Sequence, residues 1–160
     1  MKHWLLAGVL LASFNAAADC RETTGALEAM EEAELVLAGP DGRRVRLAAR
    51  VADDYRERAA GFQHICPATV ERTAIYFRFE RARRPNFHMR NVKAPLDIAF
   101  IDADGVIVDI QLMKPYMLGA TRQKTYSPPG EVTAALEARA GYFTSQRITE
   151  GSWRVESLGQ

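Results

Sequence analysis

The sequence predicts a mainly β protein, a small β-sandwich or barrel-like domain with one or two short helices. Short apolar segments alternate with polar residues at a period of two, as in strands with one buried face. Clusters of Gly, Pro and Asp separate these segments. Helical segments are few, and many short strands with few helices are typical of a sandwich or barrel.

Seven segments have the strand pattern, and turn signals set their bounds. The first two are separated by Gly39-Pro40-Asp41-Gly42, a strong turn sequence. Residues 114–130 contain three prolines and are predicted to form a long loop, and such loops in compact domains are often functional. The predicted strands are residues 34–38, 45–51, 73–79, 96–101, 106–113, 132–138 and 152–156.

Two segments have helical character. Residues 52–62 contain good helix formers, with Asp53 or Asp54 available to cap the first turn and Gly61 to end the helix. Residues 142–147 are predicted to form one short helix. Neither segment is long enough to change the predicted class.

The strands around residues 96–113 are predicted to form a hairpin. A three-residue loop with Gly105 in the left-handed conformation pairs Phe100 with Val108, whereas a two-residue turn would place Phe100 opposite Asp109. Because a slip of one residue reverses the faces, the apolar pattern selects the longer loop. On this register three polar residues share one face of the sheet: Asp97, Asp109 and Gln111.

Residues 1–18 have the pattern of a secretory signal peptide. A basic start at Lys2 precedes an apolar run, Trp4 to Phe14, that is too short for a stable membrane span. Small residues just before Asp19 fit the cleavage rule. A lipoprotein with Cys20 first is disfavoured because charged Asp19 stands where a small residue is expected. A periplasmic or secreted bacterial protein is therefore expected, with an uncleaved anchor as the alternative.

Cleavage would leave a segment over residues 19–32, expected to be loosely ordered until docked, and a single β domain over residues 33–158. The chain has 21 Lys and Arg and 20 Asp and Glu, so removal of Lys2 leaves 20 of each. Nucleic acid as a partner would require a basic surface, so a neutral mature chain argues against it. No stable membrane span is expected after cleavage.

The two cysteines, Cys20 and Cys66, both follow the cleavage site. An even pair in an oxidising compartment suggests one disulfide that ties the N-terminal segment to the domain. The alternative is two thiols too far apart to meet. A redox role is not expected because no C-x-x-C spacing is present.

Four segments carry a family resemblance. They are residues 57–62, E-R-A-A-G-F; residues 87–92, F-H-M-R-N-V; residues 95–102, P-L-D-I-A-F-I-D; and residues 135–143, A-L-E-A-R-A-G-Y-F. They resemble the DUF192 family, also called UPF0127, of small and mostly exported proteins of unknown biochemical function. The resemblance runs from Val51 to Val155, and the third segment matches residue for residue. It implies a small β-sandwich with a few short helices.

Some positions depart from the family pattern. Where the family usually has G-L-M-x-R, Gln63 replaces the Met and Ile65 replaces the Arg. His88 stands in place of Trp, and Val92 in place of Thr. If these positions line a shared pocket, the pocket is altered, and its ligand or activity differs from that of the relatives or is absent.

A set of polar residues around the hairpin is the candidate ligand-binding site. An Arg and an Asn beside a carboxylate can hold a small polar ligand through directed hydrogen bonds. The alternative, which the pattern favours, is a buried structural network in which Asn91 caps a turn and Asp97 pairs with Arg58 or Arg90. The candidate residues are Arg58, Arg90, Asn91, Asp97, Asp109 and Gln111.

His and Met residues suggest a copper site as a further alternative, because thioethers suit the reduced ion. Their spacing matches no metal motif, and buried Met usually fills gaps in a core. No metal or other cofactor is therefore expected. The residues concerned are His64, His88, Met89, Met113 and Met117.

The sequence favours an envelope protein that binds a small polar ligand or a partner protein over an enzyme. It contains no nucleophile elbow, no H-E-x-x-H and no phosphate loop. The alternative is an envelope hydrolase with Asp97 or Asp109 as base. A pocket with a strongly perturbed carboxylate would favour an enzyme, and a shallow groove with an exposed apolar rim would favour a partner protein.

Overall fold

The computed structural model describes residues 19–117, 119 and 123–159, so the predicted signal peptide lies outside the described residues. The strands are β1 (Glu31–Ala38), β2 (Arg44–Ala52), β3 (Ala74–Arg83), β4 (Phe87–His88), β5 (Leu96–Ile101), β6 (Ile107–Met113), β7 (Thr125–Tyr126), β8 (Val132–Arg139) and β9 (Arg154–Gly159). The helices are α1 (Gly25–Ala29), α2 (Tyr55–Ala60), α3 (Pro67–Val70) and α4 (Tyr142–Ser145). The predicted mainly β class is confirmed, with four short helices in the described chain rather than one or two.

Seven strands form one sheet in the order β6-β5-β8-β3-β2-β1-β9, and β4 pairs with β7 beside it. Neighbouring strands are antiparallel except β2 and β3, which are parallel. The edges of the large sheet meet, because the Ile107 amide donates to the Trp153 carbonyl at 2.9 Å and the Val155 amide to the Gly105 carbonyl at 2.8 Å. The sheet therefore curls on itself as a barrel does.

Gly105 stands where the sheet closes, and two constraints meet there. Its φ of +78° is left-handed, as the predicted three-residue loop requires. A Cβ at this position would lie 2.8 Å from the Val155 carbonyl oxygen. The residue therefore permits both the turn and the close approach of β9.

The two faces of the curled sheet carry separate apolar clusters. The inner cluster receives side chains from β1, β2, β3, β5, β6 and β8, with Val155 of β9 packed against it; it includes Leu35, Val51, Tyr76, Ile107, Leu136 and Trp153. The outer cluster packs under α1, α3 and the segment that precedes β5; it includes Met30, Phe62, Ile75, Phe77, Met89 and Phe100. Alternation along each strand assigns successive residues to opposite clusters.

The predicted hairpin forms, but its register is wrong. The loop closes as expected, with the Asp102 amide donating to the Val106 carbonyl at 3.0 Å. A bulge then shifts the ladder, so that Phe100 pairs with Asp109 instead of Val108. One extra residue in a strand reverses the faces beyond it, and periodicity alone gave no sign of it.

The N-terminal segment is docked in the structure. The stretch that was expected to be loose contains α1, and the Thr24 hydroxyl caps this helix. Leu27 of α1 and Met30, just after it, are both buried. The predicted disulfide between Cys20 and Cys66 is present. None of the helices in the described chain has the length and apolar character that a membrane crossing requires.

Candidate functional site

A cavity of about 290 Å³ opens on the outer face of the sheet beside α2. Its walls come from the second half of α2 and the turn after it, from β3, from the segment around β4, and from one residue of β8. This volume lies at the lower end of the range for small-molecule sites. The principal side chains that line it are Arg58, Gln63, Phe77, Phe87, His88 and Glu137.

Glu137 forms the buried acid of this cavity. It lies on β8 between Ile75 of β3 and Ile98 of β5, its direct partners in the ladder, and it is only 5% exposed. Burial between apolar side chains raises the pKa of the Glu137 carboxyl from an ordinary value of 4.5 to about 8. Desolvation is the sole cause, and within the described residues no hydrogen bond or ion pair compensates it. The acid is therefore mostly protonated at neutral pH and faces the cavity without a partner.

Aromatic rings form a fixed wall beside this acid. The rings of Phe77 and Phe87 meet edge to face with centroids 5.0 Å apart, and Phe87 meets Phe100 in the same way at 5.8 Å. Phe77 and Phe100 are buried in the outer cluster. Because the wall is part of the core, the cavity is preformed rather than dependent on loop closure.

Arginines and one tyrosine surround the opening. Arg58 donates to the carbonyl oxygens of Asp53 and, at 3.2 Å, Arg78, which fixes α2 against β3. The guanidinium of Arg83 lies 5.7 Å from the centre of the Phe79 ring. Tyr55 is 81% exposed at the rim, which is unusual for a large ring.

The position of α2 follows from its local sequence. The Asp54 side chain accepts from the Glu57 amide at 2.8 Å, and the Glu57 side chain accepts from the Asp54 amide, which forms a capping box. Gly61 ends the helix with a φ of +47°, next to Phe77 and Glu137. The predicted helix is therefore confirmed, with Asp54 as its N-cap, and it sets one wall of the cavity.

Asn91 connects two parts of the wall. Its φ of +58° is left-handed, a conformation that Asn tolerates better than most residues. Its side-chain amide donates to Gln63 at 3.2 Å, and its carbonyl accepts from the His64 amide at 2.8 Å. Asn91 thus positions Gln63, which lines the cavity, without lining it.

The other predicted ligand-binding residues do not join this site. Asp97 is 7% exposed and pairs with Leu112 and Ala138, so it lies on the inner face. Gln111 donates to Asp109 at 2.6 Å and to the Ser127 carbonyl at 2.9 Å on the outer face. The predicted shared face of these three residues is therefore wrong for Asp97, because the bulge in β6 reversed the register.

The two arginines predicted as partners of Asp97 also lie elsewhere. Arg58 uses one guanidinium nitrogen on backbone carbonyls at the cavity rim. Arg90 is exposed, and its backbone amide donates to the His88 ring at 3.4 Å. Over the described residues no ion pair joins either arginine to Asp97.

The histidines and methionines considered for copper differ in burial. Met89 and Met113 are fully buried in the outer cluster, where they fill the core. His64, His88 and Met117 are exposed. In the part of the chain that the structure describes, no group of three or more His, Cys, Asp or Glu is arranged to hold a metal ion.

Glu137 lies in one of the segments that resemble the family, residues 135–143, and it is absent from the predicted site residues. The available signal was an acid among the apolar residues of a predicted strand, over residues 134–138. Three positions that depart from the family pattern do line one cavity: Gln63, His88 and Val92.

The curled sheet with a cavity on its outer face defines the class of the molecule: a small β-barrel-like domain. The sequence model of the DUF192 family, described as "Uncharacterized ACR", matches residues 36–155. The chain belongs to this family. Among curated proteins, none matches the sequence.

Two solved structures share the fold. One is a Sinorhizobium meliloti 1021 protein described provisionally as a transcription regulator, with a TM-score of 0.69 and 23% identity over 79% of this chain and 95% of that chain. The other is a protein of unknown function from Novosphingobium aromaticivorans DSM 12444, with a TM-score of 0.67 and 23% identity over 84% of this chain and 99% of that chain. At this identity the likeness concerns the fold alone.

Proposed function

We propose that the protein is an exported small-ligand-binding protein of the cell envelope, and that the cavity above Glu137 is its binding site. The observation that carries this proposal is a buried carboxyl group that faces a preformed cavity and has no partner in the described chain. Buried polar groups are normally satisfied, and an exception at a concave site with aromatic walls is typical of a place for a ligand.

A carboxylate with a perturbed pKa is also a feature of enzyme active sites. Hydrolysis of a sugar by two acids requires a second carboxylate that faces the first across the substrate. Glu137 is the single acid among the residues that line the cavity in the described chain. Asp97 and Asp109 lie on opposite faces of the sheet, so these two acids cannot act together on one substrate. Binding therefore fits the chemistry of the site better than hydrolysis.

A role in transcription is suggested by the description of the Sinorhizobium protein. Direct contact with nucleic acid would require a basic surface. The chain has a formal net charge of +1, and it is neutral after the proposed cleavage of residues 1–18. We therefore do not favour nucleic acid as the ligand.

Export is part of the proposal. The apolar N-terminal pattern and the disulfide between Cys20 and Cys66 both fit an oxidising compartment. Intact-mass measurement of protein recovered from the host is expected to give an N-terminus at Asp19. Retention of Met1 in the recovered protein would contradict export by this route.

Binding is tested by a thermal-shift screen of the purified protein against envelope metabolites, metal ions and simple organic acids and amines. A ligand of the folded state raises the midpoint of unfolding. We expect at least one compound to do so, and we expect the shift to fall in Gln63→Ala and His88→Ala, which alter the cavity wall. Gln123→Ala, an exposed position outside the cavity, is the matched control and is expected to keep the full shift.

Two outcomes would count against the proposal. One is the absence of a shift with every compound in the screen. The other is a shift that both cavity variants retain in full, because the ligand would then bind outside the cavity.

A further inference from the structure

The bottom of the cavity is suited to a positively charged group. Glu137 supplies a carboxyl that gains a partner only if a ligand provides one. The rings of Phe77 and Phe87 line the same cavity as this carboxyl. A desolvated cation is stabilised by an opposite charge and by aromatic faces together, which is how proteins recognise ammonium groups.

The opening of the cavity is suited to the opposite charge. A second depression of about 310 Å³ adjoins the first and shares Arg58, Phe79 and Arg83 with it. Arg81 lines this depression as well, and Glu80 is its single acid among the described residues. Three guanidinium groups against one carboxylate favour an anionic group of the ligand at the rim.

We infer that the ligand is a small amine that also carries an acidic group, bound with its ammonium against Glu137 and its acidic group against the arginines of the rim. The inference rests on the proposed binding function and specifies the class of ligand. Free amino acids and the amino ends of short peptides belong to this class.

Binding of such a ligand must release a proton. The Glu137 carboxyl loses its proton to solvent as the ammonium arrives, and the bound pair is carboxylate and ammonium. No other bond is made or broken. A ligand that instead accepts a hydrogen bond from the protonated carboxyl would retain the proton, so the two modes give opposite dependences on pH.

The charged and titratable groups that face Glu137 across the cavity come from three elements. They are Tyr55 and Arg58 of α2, Arg83 of β3 and His88 of β4. His88→Gln removes the imidazole, so any pH dependence that survives this change belongs to Glu137.

The test uses isothermal titration calorimetry with three matched probe sets: β-alanine, γ-aminobutyrate and ε-aminocaproate, each beside the alkylamine and the fatty acid of equal chain length. The three lengths vary the span between the two charges. We expect one amino acid to bind at least about tenfold more tightly than its matched acid, with affinity rising about tenfold per pH unit between about pH 6 and about pH 7.5. Proton release is read from the dependence of the heat on the buffer.

Two variants complete the design. Glu137→Gln is expected to abolish the preference for the amine, and His88→Gln is expected to keep the pH dependence. Affinity that falls as the pH rises, or amines that bind no better than acids, would overturn the inference.

The failure of this inference is distinguishable from the failure of the proposed function. If neutral compounds or acids bind in the cavity and amines show no preference, only the class of ligand is wrong. If no compound of any charge binds, the cavity is not a binding site, and both proposals fall.

Discussion

Leu136 and Glu137 are neighbours on β8, and they belong to two different kinds of surface. Leu136 points to the inner face, where all seven strands of the closed sheet surround a continuous apolar core. Glu137 points to the outer face, where a cavity interrupts the apolar packing. The inner face is filled with apolar side chains apart from the buried acid Asp97, whereas the outer face keeps an acid, Glu137, that borders a cavity and costs stability.

The contrast separates the part of the molecule that stabilises the fold from a part that costs stability. A buried acid without a partner is destabilising, and an isosteric neutral side chain would remove that penalty. Proteins commonly give up stability at binding sites. The outer face above β8 is thus the part of the molecule that folding alone does not explain.

The largest effect is expected on the inner face. Leu136→Ala removes a fully buried side chain from the core, and we expect the free energy of unfolding to fall by about 4 kcal/mol. Denaturation by urea measures it. A loss of less than about 1 kcal/mol would mean that the inner face is not the main source of stability.

An effect of opposite sign is expected one residue further along. Glu137→Gln removes the ionisable group, and we expect stability at pH 7 to rise by about 2–3 kcal/mol. In the folded protein the pKa of Glu137 is raised from 4.5 to about 8, so the carboxyl binds its proton more tightly than it does in the unfolded chain. The stability that this supplies is complete below pH 4.5 and is lost as the pH rises to about 8. The gain from the substitution is therefore expected to disappear in acid.

Unfolding curves of wild type and Glu137→Gln across this pH range measure the difference. A constant offset at every pH would show that the substitution acts through packing rather than through charge, and it would remove the contrast between the two faces.

The smallest effect is expected at Asn91, which supports the cavity from outside. Asn91→Ala places a residue with a less favourable left-handed conformation in the turn, at a cost of about 1 kcal/mol. Asn91→Gly is the matched control and is expected to be nearly neutral, since Gly tolerates this φ. Both variants lack the side-chain amide that donates to Gln63, but only the Ala variant carries the backbone strain. The difference between their free energies of unfolding, measured by chemical denaturation, therefore gives the cost of the strain. Equal losses in both would assign the effect to the hydrogen bond.

Most of the fold could be predicted from local signals. Period-two alternation located the strands, and the acids and glycine at the ends of α2 located that helix. The short elements were missed, since two residues in β4 or β7 carry no period. The register of β5 and β6 was wrong because a bulge adds one residue of β6 between the partners of Phe100 and Ile101, and strand periodicity does not encode such an insertion.

Much less of the site could be predicted. The set chosen from sequence grouped acids and amides by nearness to the hairpin, which put Asp97 with Asp109, although the structure separates them by the thickness of the sheet. Glu137 comes to line one cavity with Gly61 and Phe87 only through the pairing of β8 with β3 and the path of the chain around β4. No local pattern encodes those contacts, but an acid within an apolar strand was a usable sign.

The most direct test of the account is the titration of the Glu137 carboxyl by NMR, with the side-chain carbon labelled and Glu137→Gln used to assign its signal. We predict a midpoint at about pH 8 in the free protein. We also predict that the midpoint moves lower when a binding amino acid from the calorimetry is present. A midpoint near the ordinary value of 4.5 in the free protein would mean that Glu137 is solvated or paired, and it would contradict the central claim that this cavity holds an unpaired buried acid.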